Sequence, residues 1–246
     1  MIQILRKKDQ YNTTVFNGKL IANKPVVSGF TGTVAPYSNL FYWSHGIAID
    51  DCEFGLHPHE GFEIMTFILE GNVSHYDTST RIWTPLEAGD FQVIQSNSGI
   101  QHRERIARGS RSFQIWFDPN FNKAIKEKPA YKDYHQKDFI PVSESGMKSI
   151  TYVGETAKSA ILTPSLVIKR LFLEKDSIQN LVLDSSCSYT FYMLRGNGNL
   201  EGHDMQENDA IRISNEDHLR IEFQNEGELF FIQTPVEPAY RTIWDH

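Results

Sequence analysis

Two cysteines, Cys52 and Cys187, are the only thiols in 246 residues, and neither has a partner at CxxC spacing. That excludes a disulfide framework and a thiolate zinc site. No run of 18 or more apolar residues occurs, which excludes a membrane-spanning helix. The start of the chain, Met1 to Lys8, puts its charges after a very short apolar run, the reverse of a secretory signal. The expected location is therefore a reducing, cytoplasmic one. Basic residues are also in deficit. With 24 Lys and Arg against 31 Asp and Glu, the formal charge is −7. A surface of that sign does not displace counterions from nucleic acid, so direct nucleic-acid binding is not expected.

What is present is short β-rich runs separated by turn residues. Phe62–Leu69 ends at Glu70-Gly71-Asn72, and Val73–Asp77 reads as the returning strand. Glu87-Ala88-Gly89-Asp90 precedes Phe91–Gln95, and Ser112–Phe117 alternates polar and aromatic until Asp118-Pro119 stops it. Strands of five to eight residues with turns at this spacing predict an antiparallel sandwich or barrel. Residues 118–139 are charged and lack alternation, and read as a connection with a short helix. A second β-rich half follows, with candidate strands at 166–173, 189–194, 210–213, 219–223 and 229–232. The length suits two domains of about 110–120 residues each, expected at 1–130 and 131–246.

A weak repeat relates the halves. Phe67-Ile68-Leu69-Glu70-Gly71 followed by Gly89-Asp90 is echoed by Tyr192-Met193-Leu194-Arg195-Gly196 followed by Asn208-Asp209. Aligning the glycines and aspartates sets Val182 and Asp184 against His57 and His59, and Ile221 and Phe223 against His102 and Glu104. The second copy keeps the scaffold and lacks the histidines, so one site per chain is expected.

The histidines carry the chemistry. In His57-Pro58-His59-Glu60-Gly61-Phe62-Glu63, the two imidazoles and Glu63 share parity, so a strand would turn His57 and His59 to one face. His102 and Glu104, beginning 43 residues after His59, repeat that spacing. Two such strands side by side gather imidazoles and carboxylate around one point, as a metal site requires. Two unrelated surface strands would be the plainer explanation, but three of the nine histidines fall into these two short patterns. His45 reads as structural. His75, Asp77 and Gln92 read as strand residues satisfied by their neighbours, and Phe62, Phe67, Phe113 and Trp116 as core.

In order and spacing, these motifs resemble the pirin family of the cupin superfamily. The likeness rests on His57-Pro58-His59-Glu60-Gly61-Phe62-Glu63, Leu69-Glu70-Gly71, Gly89-Asp90-Phe91-Gln92 and Gly99-Ile100-Gln101-His102-Arg103-Glu104, and it fades after residue 140. The resemblance implies an all-β bicupin: two tandem jelly-roll barrels, the second without metal ligands. The general cupin pattern favours Glu63 as the fourth ligand, whereas the pirin pattern favours Glu104 beside His57, His59 and His102. The expectation adopted is Glu104 as ligand, with Glu63 either orienting a histidine from behind or, more plainly, capping nearby backbone as a structural carboxylate. Three imidazoles and a carboxylate leave two open positions on a six-coordinate ion, which suits Fe(II), with Mn, Ni, Cu or Zn also accommodated.

By the same resemblance the activity is that of a quercetin 2,3-dioxygenase. A flavonol-like substrate and O2 meet at the ion, Glu104 or Glu63 takes the 3-hydroxyl proton, and ring cleavage releases CO. The alternative the family offers is a redox-sensing, metal-containing regulator acting through a protein partner. A monomer is expected. Glu60, Arg103 and Arg105 depart from the usual pirin pattern, and all three are expected near the mouth of the barrel.

Overall fold

A computed structural model describes residues 1–244. The chain divides into two compact units. The first comprises Gln10–Asp138, Ala160–Pro164 and the chain from Ala239; the second comprises Met1–Asp9, Phe139–Ser159 and Ser165–Pro238. The domains expected at 1–130 and 131–246 differ from these units for two physical reasons. Ile2–Leu5 pairs antiparallel with Ala210–Ser214, so the first strand of the chain belongs to the later sheet. Ala130–Tyr134, read as part of a connection, is a strand that pairs with Phe91–Gln95. A four-residue helix, Phe121–Ala124, lies just before it. No helix among the described residues is long and apolar enough to cross a membrane.

Each unit is a two-sheet jelly roll, with one seven-stranded and one four-stranded sheet that stay separate rather than closing into one barrel. In the first unit the large sheet runs, in spatial order, Ala130–Tyr134, Phe91–Gln95, Glu63–Glu70, Arg111–Phe117, Leu40–Ala48, Leu20–Val26, Tyr11–Val15. The small sheet runs Cys52–His59, Ile100–Ile106, Asn72–Asp77, Trp83–Glu87. Between them, Leu20, Ala48, Ile68, Val73, Leu86 and Ile106 form an apolar cluster. Strands buried on both faces show as continuous apolar runs, as in Glu63–Glu70, where only Glu70 is exposed. Strands with one wet face alternate, as in Ile100–Ile106.

The second unit fills its interior with apolar side chains, among them Phe191, Ile211, Ile221 and Phe223. The register corrects the repeat alignment. Val182 is 93% exposed and pairs with His218, and the residue opposite Ile221 is Gln179. The conclusion that this half lacks an imidazole cluster does not depend on that correction.

The repeat also has a backbone cause. Gly71 and Gly196 both turn at positive φ, +73° and +83°. A Cβ at Gly71 would come within 2.8 Å of the Ser110 Cα, and one at Gly196 within 2.8 Å of the Glu226 carbonyl oxygen. Left-handed backbone costs a residue with a Cβ about 1–2 kcal/mol before any clash. Gly71→Ala is therefore expected to destabilise the first unit by about 2 kcal/mol or more, read as a lowered midpoint in urea. An unchanged midpoint would contradict the assigned turn.

Candidate metal centre

The period-two geometry brings the site together. Along Ile100–Ile106, Ile100, His102, Glu104 and Ile106 are buried, while Gln101 and Arg105 are exposed. His102 pairs directly with His57 on the neighbouring strand, and Ile100 with His59. Between His102 and Glu104 the register slips, so Glu104 faces Phe54 across the strand pair, with Gly55 and Leu56 taking up the extra length. Such a bulge re-aims side chains. Here it turns the His57 ring so that Nδ1 lies 2.7 Å from the Gly55 carbonyl oxygen. A carbonyl only accepts, so Nδ1 carries the proton and Nε2 keeps its lone pair.

The three rings form a near-equilateral triangle. Centroid separations are 4.9 Å for His57–His59, 4.4 Å for His57–His102 and 4.9 Å for His59–His102. One nitrogen from each lies within 4.8 Å of the others, the one such grouping of three or more His, Cys, Asp or Glu side chains among the described residues. Both ring nitrogens of His102 and Nε2 of His59 are buried without a hydrogen-bond partner. Orphaned buried polar atoms cost about 1–3 kcal/mol each when nothing satisfies them. Burial, reinforced by the neighbouring imidazoles, holds the pKa of both His59 and His102 down to about 3. The rings are therefore neutral, with lone pairs available. Converging neutral imidazoles with orphaned nitrogens are what a divalent ion takes as ligands, so the residues fit a metal.

The two carboxylates part company. Glu104 is buried, and Gln114 Nε2 donates to both its oxygens at 3.1 Å. Trp116 Nε1 donates to Gln114 Oε1 at 3.1 Å. An indole N–H only donates, so this bond fixes which end of the Gln114 amide faces Glu104. Trp116 also meets the His59 ring edge to face at 4.8 Å. Burial pushes the Glu104 pKa up, opposed by His75, Gln114 and His57.

Glu63 lies elsewhere. Its carboxylate is fully buried and accepts from Leu162 N at 2.8 Å, Thr163 N at 2.9 Å, Thr163 Oγ1 at 2.6 Å and Gln95 Nε2 at 3.1 Å. Instead of standing behind a histidine, it binds the 160–164 segment. Neither carboxylate falls within the 4.8 Å grouping of imidazoles.

Asp77 is satisfied as expected, capping Ser79 and Thr80, and other placements differ from expectation. His75 sits opposite Glu104 in register, stacks on Tyr131 at 4.7 Å, and has no hydrogen-bond partner on either nitrogen. Gln92 donates to Tyr131 and Asp133 but leaves its oxygen unpartnered. Trp116 is half-buried beside the imidazoles and not in the core. Arg103 and Arg105 alternate outward, stacking on Tyr76 and Trp83 and pairing with Glu53, away from the interior.

The family model described as Pirin matches residues 30–117, the span that carries all three histidines and Glu104. The fold is that of bacterial pirin YhhW from Escherichia coli in complex with nickel(II), at TM-score 0.80 and 20% identity, covering 96% of this chain and 99% of that one. The chain resembles the pirin family over the span of the family model, about a third of its length. Among curated relatives, the Escherichia coli K12 protein named quercetin 2,3-dioxygenase is 25% identical over 185 residues, 74% of this chain and 76% of that protein. A solved quercetin 2,3-dioxygenase from Acinetobacter baumannii superposes with TM-score 0.82 at 20% identity, covering 99% of this chain and 82% of its own.

Proposed function

We propose that this chain is a pirin-like, metal-dependent dioxygenase of the quercetin 2,3-dioxygenase type, with one Fe(II) held by His57, His59, His102 and Glu104. The observation that carries the reading is the triangle of imidazoles, with orphaned nitrogens on His59 and His102, beside a buried carboxylate. When bound, the ion supplies Lewis acidity and open positions for a chelating substrate. The protein's own groups do the rest. His57 presents Nε2 because Gly55 holds its other nitrogen. Glu104 takes the 3-hydroxyl proton of a flavonol at a carboxylate oxygen. Gln114, its amide fixed by Trp116, orients that carboxylate.

The test is to load the purified chain with Fe(II), Mn(II), Ni(II) or Cu(II) in turn and follow O2 uptake and CO release with quercetin, with His57→Ala as control. Stoichiometric CO with at least one metal, lost in His57→Ala, is the expected result. Tight binding of a metal with no turnover from any of them would overturn the enzyme and favour a regulator acting through a protein partner.

A further inference from the structure

A cavity of about 110 Å³ runs from Glu104 into the space between the two sheets of the first unit. Gln114 and Ser44 line it near the carboxylate, and Tyr42 and Lys24 line it further along the large sheet. Among its lining residues Glu104 is the single anion and Lys24 the single cation. The Lys24 ammonium sits 4.9 Å from the centroid of the Tyr42 ring and 5.7 Å from that of Tyr11. No carboxylate pairs with it within 4.0 Å among the described residues, although the chain carries an excess of seven negative charges. Two aromatic faces hold a cation in place without neutralising it or using its three donors. The ring contacts continue inward: Tyr42 stacks on Trp116 at 4.4 Å, and Trp116 meets His59 at 4.8 Å. A chain of ring contacts thus links the imidazole triangle to a held positive charge.

We infer that Lys24 sets substrate specificity, pairing with an acidic group at the end of a planar aromatic substrate remote from its chelating oxygens. The inference rests on the metal-centre reading above. Of these rings Tyr42 lines the cavity, and its edge borders the space such a molecule would enter. The enclosed volume is small beside the 300–1,000 Å³ of sites that swallow drug-sized ligands. It accommodates one substituted ring, with the remainder of the substrate at the opening. Glu104 at the inner end repels an anion and Lys24 at the outer end attracts one, so the charge pattern also fixes which way round the substrate enters.

Calorimetric titration of the Ni(II)-loaded protein tests this with 3-hydroxyflavone and its 4′-carboxylate. The carboxylate is expected to bind about tenfold more tightly at low ionic strength, equivalent to about 1.4 kcal/mol, with the advantage shrinking as salt screens the charge. Lys24→Met should bind the two probes equally, and Lys24→Arg should restore the preference. Equal affinities in the unmodified protein, or a preference that survives in Lys24→Met, would overturn the inference. If neither flavone binds, the flavonol reading falls by itself. The pair catechol and 3,4-dihydroxybenzoate then decides Lys24 by the same comparison: a Lys24-dependent preference for the acid supports it, and equal or absent binding of both overturns it.

Discussion

Replacing His102 with alanine is expected to strip the chain of its metal while leaving the metal-free fold standing. His102 is fully buried at one corner of the triangle, within reach of both His57 and His59. Loss even of a group that merely orients a ligand costs 10–100-fold in metal affinity, so loss of an imidazole ligand should cost at least about 100-fold. The effect on stability runs through linkage. An ion present at about 100 times its dissociation constant stabilises the folded chain by about 2.7 kcal/mol, which raises a melting midpoint by roughly 5–10 °C. His102→Ala should lose that increment. The metal-free variant should stay near the unmodified chain, because the cavity created is offset by removing two ring nitrogens that have no partner. Metal content after gel filtration, with melting curves with and without Ni(II), checks both halves. A variant that still retains one Ni(II) per chain would dismiss the triangle as the site.

The parts of the site that were legible from sequence are those that obey a local period. His57, His59, His102 and Glu104 announce themselves because strand side chains repeat every second residue, and the strands fall as that alternation requires. The Gly71 and Gly196 turns are legible for a similar reason: only glycine takes that backbone without strain. What stayed hidden is non-local. The bulge that aims His57 arises from a register slip between two strands some 45 residues apart, which no window of sequence records.

Gln114 and Trp116 looked like one more alternating strand pair, yet their function depends on which way an amide points, and that is set by a hydrogen bond between them. Trp116 was assigned to the core because aromatic residues usually fill it. It instead spends one face on His59 and its N–H on Gln114. Lys24 carries no motif at all. It stands out only once the strands around it enclose a cavity and no carboxylate among the described residues pairs with it within 4.0 Å. The N-terminal strand illustrates the same limit at the level of the fold: Ile2–Leu5 reads locally like any short strand, and nothing near it says that its partner lies about 210 residues on.

Glu63 and Glu104 are expected to separate cleanly when each is changed to glutamine. Glu63 accepts four hydrogen bonds, three of them from Leu162 and Thr163, a hundred residues away in sequence. A carboxamide presents an N–H2 where an oxygen now meets a donor, so at least one buried pair becomes donor against donor. Bonds to a charged acceptor contribute about 1.5–3 kcal/mol each, and a buried group left unpaired costs a similar amount. Glu63→Gln should therefore destabilise the first unit by about 2–4 kcal/mol and expose residues 160–164 to protease, while the folded fraction keeps its metal.

Glu104→Gln should do the opposite. It removes the carboxylate from the ligand set, lowering metal affinity by roughly 10–100-fold, and it relieves a buried charge in the metal-free chain. The sign follows from the raised pKa. A carboxyl that holds its proton more tightly when folded costs stability as pH rises above its unfolded value, so the metal-free Glu104→Gln chain should gain on the unmodified one as pH climbs through that range. Metal titration and urea midpoints at several pH values measure both effects. Loss of metal in Glu63→Gln with retention in Glu104→Gln would reverse the two roles and make Glu63 the ligand.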